Sequence, residues 1–208
     1  MYKPLWARQA FSYVRRAGRS VTGRNPLSMP ASDRTWLLSQ LPVGEPGAEI
    51  GVWQGDFSVQ LLDEVGPTVL HLVDPWQAAT DRAHRGSPYS RVSQRAMDRM
   101  YESVLDRFDE RIRDGRVIVH RQASVDALDA VEDESLGWVY IDGDHSYEAV
   151  AADLAGWSTK LKAGGVLAGD DYLNGSWFGD GVIRGVNEFV DSRGATLEVV
   201  NQQFVIRA

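Results

Sequence analysis

Two segments of this 208-residue chain close on clustered acids: GWVYIDGDHSYE, carrying Asp142, Asp144 and His145, and GGVLAGDDY, carrying Asp170 and Asp171. Each begins as an apolar run of strand character, so the acids fall at strand ends. Between Asp142 and Asp170 lies a single helical stretch, SYEAVAADLAGWSTKL. A strand–helix–strand unit of that length pairs neighbouring parallel strands, and their carboxyl ends then converge. Carboxylates brought together this way repel one another unless a cation lies among them. The chain has no cysteine, so any metal must be held by oxygen or imidazole. An all-oxygen set of Asp142, Asp170 and Asp171 suits Mg²⁺, with Mn²⁺ or Ca²⁺ as alternatives. The competing reading is local: DHSYEAV has the form of a helix start, and aspartates there cap the helix or its turn. Adjacent residues on a strand face opposite ways, so Asp171 can join Asp170 only if the chain leaves β geometry.

A second group of candidates stands on earlier strand ends. EIGVWQGDFS places Glu49, Gly51, Gly55 and Ser58 at a strand-to-helix turn, where glycines allow a sharp bend or close approach of a ligand. The third glycine of G-x-G-x-x-G is missing, which disfavours a dinucleotide. HLVDPW ends in Asp74, an acid able to accept hydrogen bonds from both hydroxyls of a ribose, with Trp76 beside it to cover an adenine. An Asp before Pro is equally a turn residue. In HRQASVDAL, Ala123 and Ser124 open a helix; Ser124 suits an N-cap or an adenine-edge contact.

The elements that must position these residues follow from the hydrophobic pattern. From residue 47 onward, AEIGVW, VLHLVD, RVIVHR, GWVYID and GGVLAGD alternate with helical stretches. Continuously apolar strands joined by helices make a parallel sheet covered on both faces, with ligands bound beyond the carboxyl ends of its strands. VIRGVNEFVDSRG reads as a last helix, and ATLEVV with QFVIRA as a terminal antiparallel hairpin. Between Pro75 and Phe108 lies the one long excursion, with residues 77–100 as an insertion or lid. Its second half, from Arg91, reads as an amphipathic helix with Val92, Ala96, Met100, Val104 and Phe108 on one side. Arg91, Arg95 and Arg99 form a stripe that is either a solvated face or a substrate surface. YLNGSWFGDGV, 172–182, offers Tyr172 and Trp177 to stack on a ring-shaped acceptor. Residues 1–44 read as a helical arm that packs on its own domain or on a second copy, so a homo-oligomer is expected; the alternative is a membrane surface or anionic partner bound through its arginines.

The composition is that of one globular domain: 43% hydrophobic and 25% charged. The net charge is −7, and residues 1–32 hold six basic residues and no acid, so the remainder carries −13. Such a body is a poor nucleic-acid surface. No run approaches the length of a membrane span and no signal-peptide pattern is visible, so a cytoplasmic location is expected.

Taken together, E-x-G-x-x-x-G after the first strand, an acid after the second and the terminal hairpin resemble the class I S-adenosylmethionine-dependent methyltransferases over about residues 45–208. The resemblance implies a Rossmann-like α/β fold, with a mostly parallel seven-stranded sheet, helices on both faces and a C-terminal antiparallel hairpin. It implies that Glu49 faces the methionine amino group and Ser58 its carboxylate, with Gly51 and Gly55 at close approach and Asp74 on the ribose. Trp76, Ala123, Ser124 and Asp142 complete that cofactor site. The later acids resemble those of the metal-dependent small-molecule O-methyltransferases, which include a catechol branch and a macrocin-type sugar branch. IDGDHSYE with DDY is closer to the sugar branch; Asp171 and His145 stand where the catechol branch has Asn and Lys. The implied activity is methyl transfer to a hydroxyl of a small polyhydroxylated acceptor, a saccharide, with Asp142, Asp170 and Asp171 on the metal. His145 or Asp144 would be the general base. Two other readings stay open: a metal-dependent oxygenase similar to cephalosporin hydroxylase, and a non-catalytic cofactor-binding subunit.

Overall fold

The apolar runs form the inner strands of a seven-stranded sheet. The structure, a computed structural model, describes residues 34–79, 84, 86–87, 89–175 and 177–207; most of the arm expected over residues 1–44 lies outside them. The strands are β1 (Gly47–Ile50), β2 (Leu70–Val73), β3 (Val117–His120), β4 (Leu136–Ile141), β5 (Leu161–Gly169), β6 (Thr196–Val200) and β7 (Gln203–Arg207). Their order is β3-β2-β1-β4-β5-β7-β6. β1 to β5 run parallel, and β7 pairs antiparallel with both β5 and β6. This is the expected Rossmann-like architecture. The hairpin between β6 and β7 turns on Asn201 (φ 49°) and Gln202 (φ 73°), the paired left-handed conformation of a two-residue connection.

Strand β4 shows why the inner runs are continuously apolar. All six of its residues are buried, because both faces of the sheet are covered. Trp138 and Tyr140 enter one core layer, with Leu37 and Leu38 of α1 (Thr35–Gln40), Phe57 of α2 (Asp56–Gln60) and Met97, Met100, Val104 and Phe108 of α3 (Gln94–Arg113). Val139 and Ile141 enter the other, beneath α4 (Tyr147–Ser158) and α5 (Gly181–Arg193).

Several expected helices differ in detail: DFSVQLLDEV divides into α2 and a π-helical turn, Leu61–Val65. SVDALDAV forms a 3₁₀ segment, Ser124–Ala130, in which only Ala127 is buried; with so little apolar surface to bury, tertiary packing does not support an α-helix there. The excursion helix starts at Gln94 rather than Arg91, which lies in a short 3₁₀ turn, Tyr89–Arg91. Arg95 and Arg99 face solvent. Among the described residues no helix is long and apolar enough to cross a membrane.

Candidate functional site

Register brings the candidates together. Ile50 lies opposite Val73 and Ile141, and Ile141 lies opposite Gly169. The residues that follow these positions, Gly51, Asp74, Asp142 and Asp170, therefore stand along one sheet edge.

Glu49 lies at the floor, 1% exposed, and the fully buried Ser58 donates its hydroxyl to that carboxylate, so Ser58 holds Glu49 instead of facing a cofactor carboxylate. Burial pushes the Glu49 carboxyl up to about 8, against the opposing pull of Ser58 and of the Arg34 charge. An acid held in this state gains from a cationic ligand, which would favour its ionised form. Gly51 has φ 92°, and a Cβ there would lie 2.1 Å from the Asp142 carbonyl oxygen. The close approach that requires this glycine is thus between the β1 and β4 turns themselves. Gly55 is the N-cap of α2.

Asp74 spends its carboxylate on the backbone: Oδ2 accepts from Val52 N (3.0 Å) and Trp53 N (2.9 Å), and Oδ1 from Trp76 N (2.7 Å). Burial raises its pKa against these three amides. An ionised carboxylate has about four acceptor positions, so one remains for a hydroxyl. Trp76 does not stand where it could cover an adenine. It is 1% exposed, its ring lies 5.1 Å from Tyr101, and its indole N–H donates to the Trp53 carbonyl; an indole this large is worth more to the core than to the rim. Ser124 is tied to α4, its Oγ accepting from Trp157 Nε1 at 2.8 Å. Ala123 is the exposed N-cap residue of the 3₁₀ segment.

The repulsion among the acids is answered by a cation within the chain. Arg34, just before α1, donates from Nη2 to Asp142 Oδ2 (2.8 Å) and from Nε to Asp170 Oδ2 (2.9 Å). Its guanidinium lies 4.4 Å above the Phe57 ring and 5.4 Å from that of Tyr140, a cation–π seat for a partly buried charge. Tyr140 also donates to Asp142 Oδ2, while Asp170 Oδ1 accepts from the Asp171 amide. Both oxygens of Asp170 are therefore engaged by the chain.

Asp171 meets the condition set by strand geometry. Its φ is 61°, β5 has ended at Gly169, and its carboxylate turns to His145. Asp171 Oδ2 lies 3.4 Å from His145 Nδ1, and Asp142 Oδ1 lies 3.4 Å from His145 Nε2. Neither contact has hydrogen-bond alignment, and both ring nitrogens are buried. Burial alone would lower the His145 pKa, but Asp142 and then Asp171 outweigh it and raise it. Asp142 is held low because His145 and Arg34 overcome its burial, whereas burial lifts Asp171 to about 6. Donor atoms of Asp142, His145 and Asp171 lie within 4.8 Å of one another. The expected trio of aspartates is thus divided, with Asp170 on Arg34 and the other two on His145.

Above this cluster is an aromatic wall. Asp144 Oδ1 accepts from the Ser146 amide (2.9 Å), and Oδ2 lies 2.8 Å from His84 Nε2, joining the excursion to the β4 turn. The Trp177 ring lies 5.7 Å from His84, 5.8 Å from His145, 5.3 Å from Phe178 and 6.4 Å from Tyr89. Trp53 meets Tyr89 edge-on at 5.5 Å. Tyr172 instead packs on the second core layer, with its hydroxyl on Asn187 Oδ1. Sequence reasoning passed over Arg34, His84, Tyr89 and Phe178. For Arg34 the only available signal was the demand for a cation, which names no residue.

A family model described as "Methyltransferase domain" matches residues 48–172, and the chain belongs to that family. No curated protein matches the sequence. Solved structures share the fold. A Corynebacterium glutamicum protein superposes with a TM-score of 0.60 at 17% identity, covering 95% of this chain and 96% of its own. A SAM-dependent methyltransferase from Aquifex aeolicus gives 0.54 at 12% identity, with 85% and 88% covered. A Streptococcus mutans protein assigned as a methyltransferase, in complex with SAH, gives 0.56 at 13%, with 86% and 99% covered.

Proposed function

We propose that this protein transfers a methyl group from S-adenosylmethionine to a hydroxyl of a small polyhydroxylated acceptor, a saccharide, with the help of a divalent cation. One observation carries the reading: the buried acid Glu49 feels the charges of Asp74 and Asp142 at one sheet edge, and Asp142 and Asp171 flank His145, whose ring meets Trp177 and Phe178. The bound cofactor supplies an electrophilic methyl group. Glu49 receives its ammonium group, held in place by Ser58, and the remaining acceptor position of Asp74 takes a ribose hydroxyl. Asp142 through Oδ1 and Asp171 through Oδ2, the oxygens that face each other across His145, would hold the cation. With a divalent cation held there, the pKa of an acceptor hydroxyl would be lowered.

Asp144 takes the acceptor's proton. Its two oxygens are oriented by His84 and the Ser146 amide, and each keeps a lone pair. His145 is the weaker choice of base, because its two ring nitrogens are turned to Asp142 and Asp171, which leaves neither directed at an acceptor hydroxyl. The flat aromatic wall suits the face of a sugar ring, and an acidic protein surface does not suit nucleic acid.

The test is methyl transfer from labelled S-adenosylmethionine to a panel of mono- and disaccharides, with and without chelator, alongside calorimetric titration of the cofactor. Micromolar cofactor binding with chelator-sensitive transfer to a sugar hydroxyl is expected. Absence of cofactor binding would overturn the transferase reading, and transfer to amines alone would overturn the acceptor class.

A further inference from the structure

We propose that the metal site of this chain is Asp142, His145 and Asp171, a two-carboxylate, one-imidazole set for cations of the Mn²⁺, Fe²⁺, Co²⁺ or Zn²⁺ class, from which Arg34 withholds Asp170. The inference deepens the metal-assisted transfer proposed above and rests on it for its role in catalysis.

Two independent observations support it. The first concerns His145, which is 9% exposed yet leaves both ring nitrogens buried without an aligned hydrogen bond. Buried polar atoms in that state call for a partner. The ring points its nitrogens at the Asp142 and Asp171 carboxylates, and donor atoms of all three lie within 4.8 Å. It is also well supported. Phe178 meets it edge-on at 5.0 Å, and a Cβ on Gly181 would lie 2.5 Å from the His145 carbonyl, so α5 braces its backbone from behind. Support of this kind fixes the orientation of a ligating imidazole.

The second concerns Asp170. An all-aspartate site would set a divalent cation on the carboxylate whose Oδ2 holds the Arg34 guanidinium, charge against charge, and whose Oδ1 accepts from the Asp171 amide. Detaching Asp170 would leave the Arg34 guanidinium, 18% exposed on its side chain, with one carboxylate fewer in a partly buried seat, a costly change. His145 therefore replaces Asp170 as third donor. Mg²⁺ favours a near-ideal octahedron of oxygens and gains little from an imidazole, whereas first-row transition metals bind imidazole well.

The experiment titrates Mn²⁺, Co²⁺ and Mg²⁺ into the full chain and into its His145→Ala and Arg34→Ala variants. S-adenosylhomocysteine binding is measured on each sample, and pulsed EPR of the Mn²⁺-loaded wild type reads nitrogen coupling. We expect ¹⁴N coupling from one imidazole and at least a tenfold loss of Mn²⁺ and Co²⁺ affinity in His145→Ala. Mg²⁺ affinity should change less in that variant and should rise in Arg34→Ala, where Asp170 is released. Mn²⁺ bound without nitrogen coupling, Co²⁺ affinity unchanged in His145→Ala, or no saturable metal binding would each overturn the site. An unchanged Mg²⁺ affinity in Arg34→Ala would overturn the role given to Arg34. The wild-type spectrum decides the ligand even if a variant fails to fold. Intact S-adenosylhomocysteine binding in a protein without a metal site would overturn this inference alone, and metal binding without S-adenosylhomocysteine binding would overturn the transferase reading alone.

Discussion

Glu49 is held in its protonated form by burial, and that has opposite consequences for stability and for ligand binding. In the folded protein it keeps its proton up to about pH 8, against 4.5 for an ordinary glutamate. Between those values the unfolded chain binds fewer protons, so this group's contribution to stability is whole below pH 4.5 and is lost as the pH rises towards 8. Glu49→Gln removes the dependence. Melting followed from pH 4.5 to 8 should show the variant gaining on the wild type, by up to about 3 kcal/mol near pH 7. Cofactor affinity should fall about tenfold or more in the same variant, because a charge-assisted bond to the ammonium group is lost. Parallel melting curves for the two proteins would refute the buried-acid argument. Asp144→Asn tests the base. It keeps the shape of the group between His84 and Ser146 but cannot take a proton, so kcat should fall about 10²–10⁴-fold with cofactor affinity unchanged.

At the scale of elements, the β4 turn is held between the excursion and α5. His84 reaches it through Asp144, and α5 presses on it through Gly181, where a Cβ would also lie 2.8 Å from Tyr147 N. Gly181→Ala must push the first turn of α5 away from backbone that cannot yield. A stability loss of about 1–3 kcal/mol is expected, together with a fall in kcat at temperatures where the variant stays folded, because the ring of His145 and the rings of Trp177 and Phe178 shift relative to one another. Thermal melts and turnover on the same sample check it; a destabilised variant with wild-type turnover would show the contact to be structural only. The elements themselves were largely legible. Strands ending in Asp74, Asp142 and Asp170 read as apolar runs, and the hairpin as two runs with a short gap. The 3₁₀ segment Ser124–Ala130 was not legible as such, because SVDALDAV has helical composition and only its shortage of buried positions decides against an α-helix.

For the whole molecule, a cofactor that binds the folded chain alone must raise its melting temperature. At about 100 times its dissociation constant the gain is about 2.7 kcal/mol, which for a domain of this size corresponds to roughly 5–10 °C. S-adenosylhomocysteine should give such a shift in a thermal melt and NAD none; equal shifts from both would argue against the cofactor assignment. The sequence by itself determined the parallel sheet, the edge on which its acids gather and the need for a cation among them. Apolar periodicity states which side of each element is buried, and strand ends are local features. Only the tertiary structure decided which cation that is and which acids share it. Arg34 meets Asp142 and Asp170 across 108 and 136 residues, and nothing in a pattern of hydrophobicity selects one of 22 basic side chains for that place. The left-handed turn of Asp171 and the placing of His145 between two carboxylates are decided in the same way, by backbone geometry where a strand has ended and its period no longer fixes direction.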